Sequence, residues 1–138
     1  MRTLPPRLAP FAAVGGIGFV VQVGLLSLLT RVAGLDLGPA TALAVELTIL
    51  HNFAWHERWT WADRASREPK GIWRRLGRFH LGNGVVSLVG NLVITAGIVT
   101  LAGVPLLLAN TLAVGACTAL NFVAADRLVF PDQQEVEG

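Results

Sequence analysis

The residues that could do chemistry in this chain are few, and they occur twice. Asn52, Phe53, Glu57, Arg58, Trp61 and Asp63 return at a constant offset of 69 as Asn121, Phe122, Asp126, Arg127, Phe130 and Asp132. In each copy an arginine follows an Asn-Phe pair at the end of an apolar segment. A guanidinium can clamp phosphate oxygens bidentately. Trp59 and Trp61 offer rings that stack on a sugar or anchor at the level of lipid headgroups. Asn52 and Asn121 can hydrogen-bond a polar head just inside an apolar phase. Arg75 and Arg78, a little further on, add positive charge. The chemistry this suggests is the holding of a phosphorylated head rather than bond breaking. A second reading is equally open at this point: Glu57, Arg58, Asp126 and Arg127 end helices and set topology, and duplication of a structural unit copies that too.

Other polar residues lie inside apolar runs. Glu46 falls near the middle of its run, where a carboxylate costs about 2.5–3.5 kcal/mol on insertion scales and is a functional candidate by default. It is expected to be protonated or paired. Its counterpart is Gly115, so the feature is not duplicated. Thr48, Asn52 and His56 share a helical face, and the corresponding face of the second copy carries Cys117, Asn121 and Ala125. The first copy, with the more polar face, is therefore expected to be the working one. His80, Asn83, Ser87, Asn91 and Thr95 recur every three or four residues. So much polarity on one face must pack on another helix or line a polar cavity. Asn110 and Asn121 add to it from the last apolar run.

Familiar catalytic and cofactor motifs are missing. His56-Glu57 is not followed by the second histidine of a zinc helix, and His51 and His56 diverge around a helix. There is no phosphate-binding glycine loop, no dinucleotide turn and no Ser/His/Asp set. Cys117 lies in an apolar run without an activating base. No metal, no cofactor, no nucleic-acid partner and no active site of the chain's own are expected.

The elements that must position these groups are read from charge spacing. The chain has 138 residues, 53% apolar and 14% charged, against about 25% charged in a soluble domain. Arg7 to Arg31 encloses 23 uncharged residues, and Arg78 to Asp126 encloses 47. A helix crosses a membrane in about 20 residues, so the longer run must fold back, at Ala102-Gly103-Val104-Pro105. Four spans follow, at about 9–30, 37–56, 79–101 and 105–125. The first exceeds the apolar core of a signal peptide and reads as an uncleaved span. Gly15, Gly18 and Gln22 share a stripe of it that would let a neighbour approach closely. Between spans two and three, residues 57–78 form a basic connection with seven Lys/Arg against three acids, beside all four tryptophans. This is an interfacial belt. Four spans place 10 of the 11 basic residues on one side. The positive-inside rule then makes that side, with both termini, cytoplasmic.

The fold class expected is thus an all-α integral membrane protein. Four transmembrane helices form two parallel two-helix repeats within a single domain over 1–138. Repeat one covers about 7–63 and repeat two about 75–132, with an acidic, disordered tail at 133–138. Span three also matches span one, but at offset 68: Arg7/Arg75, Leu8/Leu76, Phe11/Phe79 and Gly16/Gly84. A dimer, if formed, would be parallel, because so large a charge bias forbids dual insertion.

These features carry a family resemblance. The first box, from Asn52-Phe53 through Arg58 to Trp59-Thr60-Trp61, the basic Arg74-Arg75…Arg78-Phe79 opening of span three, and the second Asn121-Phe122…Arg127…Phe130 box resemble the GtrA-like family over about residues 7–132. His56 and Glu57 depart from its usual box, and Leu128 stands opposite Trp59. The resemblance implies a small protein of the cytoplasmic membrane, serving cell-surface polysaccharide synthesis by flipping polyprenyl-phosphate-linked sugars. It further implies work beside glycosyltransferases. On that basis the phosphate is expected near Arg58, Arg127, Arg75 and Arg78. Asn52, Asn121 and Trp59 would lie at the entrance, with Glu46, Asn83, Ser87 and Asn91 along the sugar's path. The alternatives are a non-transporting scaffold that recruits a glycosyltransferase through residues 57–78, and a proton-coupled exporter built on Glu46.

Overall fold

A computed structural model describes residues 6–65 and 67–132, except for the side chain of Leu107. Arg2 and the acidic tail, both used in the expectations above, lie outside the described residues. The chain divides into two compact units, Met1–Ala65 and Ser66–Gly138, and the described residues of both are helical apart from short turns and connections, without strands.

Unit 1 is a helical hairpin. Helix α1 (Leu8–Arg31) packs on α2 (Leu37–Trp55), which continues into a π-helical turn, His56–Thr60. In unit 2, helix α3 (Pro69–Val85) runs through a second π turn, Val86–Gly90, into α4 (Asn91–Ala102). The chain then folds back into α5 (Leu106–Ala124), which ends in a third π turn, Ala125–Val129. Each hairpin turns at a left-handed glycine, Gly34 (φ +67°) and Gly103 (φ +62°), a conformation that costs other L-residues a Cβ clash. The two glycines are themselves 69 residues apart.

The distribution of side chains is inverted relative to a water-soluble bundle. Large apolar residues such as Phe19 (68% exposed), Leu92 (70%) and Leu101 (90%) point outward. Alanines line the contacts between helices: Ala40 and Ala44 in unit 1, and Ala109 and Ala113 at the same offset in unit 2, are all buried. Lipid has no preference for leucine inside over leucine outside, so helices in it associate through small residues that let backbones approach. This pattern, with three helical segments among the described residues long and apolar enough to cross a membrane (Leu8–Arg31, Pro69–Ala102 and Leu108–Val129), makes the chain a multi-pass membrane protein. Helix α2 is not among them, because Glu46, His51 and Asn52 dilute its apolar character. It is nonetheless a 19-residue helix packed along α1.

Much of the basic connection is helical. Only part of it is turn. Residues 56–60 extend α2, Arg64 and Ala65 close back on the Trp61 carbonyl, and helix begins again at Pro69. Proline suits the first helical turn because its missing N–H has no partner there in any case. The continuous helical segment Pro69–Ala102 has 34 residues, roughly 50 Å of axis, against about 30 Å of hydrocarbon. Its first ten or so residues, carrying Lys70, Trp73, Arg74, Arg75 and Arg78, therefore form a basic stem outside the apolar layer. Charge spacing alone placed the start of span three at 79 because it marks where apolarity begins, not where helix begins.

Candidate functional site

Both copies of the repeated box fold in the same way. At the end of α2 the amide of His56 is shared between the carbonyls of Asn52 and Phe53, and at the end of α5 the amide of Ala125 is shared between those of Asn121 and Phe122. The π turn is then closed by Trp61 N–H on the His56 carbonyl and by Phe130 N–H on the Ala125 carbonyl, each at 2.9 Å. Wider π turns bring Trp61 and Phe130 back under their helices, where both are fully buried. The turns leave Arg58 and Arg127 exposed, so the guanidinium that follows each Asn-Phe pair faces outward. The Arg58 Nη1 group donates to the Ala54 carbonyl at 3.4 Å, and Trp59 beside it is half exposed.

The interiors behind the two boxes differ. In unit 1 an aromatic cluster fills the space. The His56 ring stacks on Phe11 at 5.0 Å and meets Trp61 edge-on at 5.2 Å, while its Nδ1 lies 2.9 Å from the Thr60 hydroxyl. Arg7 closes the base of the hairpin through an ion pair with Asp63. Higher up, Trp55 Nε1–H donates to His51 Nε2 at 3.0 Å, and His51 Nδ1 lies 3.1 Å from Asn52 Oδ1. An indole N–H can only donate, so Nε2 is the acceptor and the proton of this neutral ring sits on Nδ1, aimed at Asn52. Both nitrogens of His51 are thereby engaged. Among the described residues no group of His, Cys, Asp and Glu is placed to hold a metal. Asn52 also presses on α1: a Cβ at Gly18 would overlap its carboxamide. The polar groups of unit 1, from which sequence suggested the working copy, thus largely satisfy one another.

In unit 2 the equivalent amide meets a different partner. Asn121 Nδ2 donates to Ser87 Oγ at 3.0 Å, and Asn121 Oδ1 is buried without a hydrogen-bond partner. Since Asn121 matches Asn52, Ser87 occupies the place of Gly18, at offset 69. The opening of the same helix, including Phe11/Phe79, matches at offset 68. One extra residue therefore separates the two registers, between Gly84 and Gly103. The Val86–Gly90 π turn lies in that interval. A π turn holds one residue more than an α-turn, so it absorbs the insertion and lets α4 reach its left-handed glycine in step with α1.

Around this turn lies an open groove of about 270 Å³, lined by Ser87, Leu88, Asn91, Leu92, Thr95 and Asn110. Asn91 Oδ1 accepts from Asn110 Nδ2 and from Thr95 Oγ1, both at 3.0 Å. On the far side of the turn the Cys117 thiol donates to the Val86 carbonyl at 3.5 Å. It faces Gly90, where a Cβ would stand 3.2 Å from the sulfur.

The sequence-derived site residues are thus only partly assembled. Ser87, Asn91 and Asn121 come together in unit 2, joined by Thr95 and Asn110. Asn83 is half-buried and outside the groove. Glu46 is exposed on α2. Arg78 donates to the Leu128 carbonyl at 3.3 Å, tying the basic stem to the third π turn. Arg75, expected to meet phosphate, is buried, at 8% exposed. The shift from offset 68 to 69 is the trace of the π turn in the sequence.

A model of the GtrA/DPMS transmembrane-domain family matches residues 10–130. A dolichol-phosphate mannosyltransferase of Pyrococcus furiosus is 33% identical over 121 residues, covering 85% of this chain and 32% of that protein. The chain spans about a third of the length of this curated relative.

Proposed function

Because the chain belongs to the GtrA/DPMS transmembrane-domain family, whose membrane domains are tied to polyprenyl-phosphate-sugar chemistry, we propose that it flips a polyprenyl-phosphate-linked sugar across the cytoplasmic membrane for surface polysaccharide synthesis. The carrying observation is the combination, within one apolar helical protein, of exposed arginines at the helix exits and an uncharged polar groove further along. Arg58 in unit 1 and Arg127 in unit 2, with Arg78 on the basic stem, would draw the phosphate to the boundary. Trp59 would sit at headgroup level. The lipid tail would stay against the outward-facing leucines. Helices α1, α2, α3–α4 and α5 serve as four spans in this reading, with both termini cytoplasmic and the basic stem on the same side. The chain's own residues bind and conduct, and the sugar is made elsewhere.

The test is flipping in proteoliposomes with a labelled polyprenyl-phosphate sugar. Arg58→Ala combined with Arg127→Ala should lower the initial rate at least tenfold. Undiminished flipping would sink the phosphate assignment.

A second reading is favoured by the relative, which is a mannosyltransferase about three times this chain's length. Here the chain positions a glycosyltransferase at the membrane, with the stem Lys70–Arg78 as the docking surface. That reading expects no flipping by the purified protein. It also expects loss of membrane glycosyl transfer when Lys70, Arg74 and Arg78 are neutralised, while Asn91→Leu has no effect.

A further inference from the structure

The groove at the Val86–Gly90 π turn has a ligand preference of its own. Its polar lining is uncharged: one hydroxyl each from Ser87 and Thr95, and the amides of Asn91 and Asn110. Counting donors and acceptors shows what remains. Asn91 Oδ1 is doubly occupied, while its two Nδ2 hydrogens have no partner among the described residues. Asn110 Nδ2 is directed at Asn91 and Thr95, which leaves its Oδ1 as an open acceptor. Ser87 accepts from Asn121 and retains its own O–H. The groove thus presents donors from Asn91 and Ser87 beside an acceptor from Asn110, with Leu88 and Leu92 on its apolar sides.

Adjacent hydroxyls on a sugar ring need that complement, since each hydroxyl both donates and accepts, and the C–H faces of the ring suit leucine. A phosphate would find no cation here, and a metal ion no carboxylate. Ligand pockets run from roughly 300 to 1,000 Å³, so about 270 Å³ suits one sugar ring rather than an oligosaccharide. Asn91 lies roughly 16 Å of helix axis before Ala102, well inside an apolar layer of about 30 Å, where unpaired amide hydrogens have no water to turn to. The corresponding place in unit 1 lacks the inserted residue, with Gly18 where unit 2 has Ser87.

We propose that this groove, opened by the one-residue insertion in the third helix, is a recognition site for the single neutral sugar of a lipid-linked glycoside, separate from the arginines that meet its phosphate. The inference rests on the lipid-linked-sugar reading above and adds to it where within the chain the sugar is discriminated.

The experiment measures binding in nanodiscs of polyprenyl-phosphate mannose, polyprenyl-phosphate glucose and the same polyprenyl phosphate without sugar. Wild-type protein should bind at least one glycosylated lipid ten or more times tighter than the sugarless lipid. Asn91→Leu with Asn110→Leu should reduce that affinity to the sugarless value while leaving sugarless binding unchanged, which also certifies that the variant is folded. If the double variant does not fold, the near-isosteric Thr95→Val should still lower the sugar preference several-fold. Equal wild-type binding of all three lipids, or a preference that survives these substitutions, overturns the sugar site but leaves phosphate recognition standing. A wild-type protein that binds none of the three overturns both.

Discussion

The two units share a skeleton and differ in what they do with their polar residues. Both have alanines between the helices, a π turn that returns an aromatic ring beneath the helix end, and a left-handed glycine in the hairpin. Unit 1 closes that skeleton. Gly18 lets Asn52 against α1, His51 engages the Asn52 amide while accepting from Trp55, and His56 fills the base between Phe11 and Trp61. Unit 2 opens it. Ser87 replaces the glycine, Ala125 replaces the histidine, and an inserted residue turns part of the first helix into a π turn beside a groove. Packing can be copied by duplication, while a binding surface needs only one local change in register.

The sharpest way to break this comparison is to change register in each unit. Deleting Ile17 from α1 would rotate everything between it and Gly34 by about 100° and remove Gly18 from Asn52. It should cost more than about 4 kcal/mol, the range of exceptional mutations, and abolish monodisperse protein on size exclusion in detergent. Deleting Val86 restores in unit 2 the unit 1 spacing on both sides of Ser87, so folded protein should be recovered, with the groove's binding lost. Equal tolerance of the two deletions would refute the insertion account.

Truncating the buried rings should come next. Trp61→Ala and Phe130→Ala should each cost about 3–5 kcal/mol in denaturant unfolding, with Trp61 the larger because an indole vacates more volume than a phenyl ring. A smaller effect is expected from Gly18→Ala, about 1–3 kcal/mol from overpacking against Asn52, measured as a lower thermal midpoint. The smallest is Ser87→Ala, at the matching position. It forfeits the hydrogen bond from Asn121 and should cost about 0.5–1.5 kcal/mol. If Ser87→Ala proved as damaging as Gly18→Ala, the two places would not be equivalent.

Much of this architecture was legible in the chain. Uncharged runs located α1, α2 and α5 to within a few residues, because charge is what an apolar layer excludes. The return of Asn-Phe and of the arginine six residues later revealed the duplication. The polar stripe of the third helix foretold Ser87, Asn91 and Thr95 on one face. Other features depend on distances that sequence does not carry. The capture of His51 by Trp55 and Asn52 needs the geometry of α2. Arg75 looks like Arg58 in composition, but it is buried where Arg58 is exposed. The stem at Pro69 was hidden by its own charges, which read as a connection. The π turn lay in plain view as a change of offset, and its meaning appeared only once Ser87 was found opposite Asn121.

That single extra residue also bears on descent. A gapless superposition at offset 68 pairs Gln22 with Gly90 and sets Ser87 and Asn91 against Phe19 and Val23. Admitting one gap pairs Gln22 with Asn91 and Ala33-Gly34 with Ala102-Gly103. Both halves then carry an amide at this depth. One residue gained or lost in one copy separates a sealed hairpin from an open one.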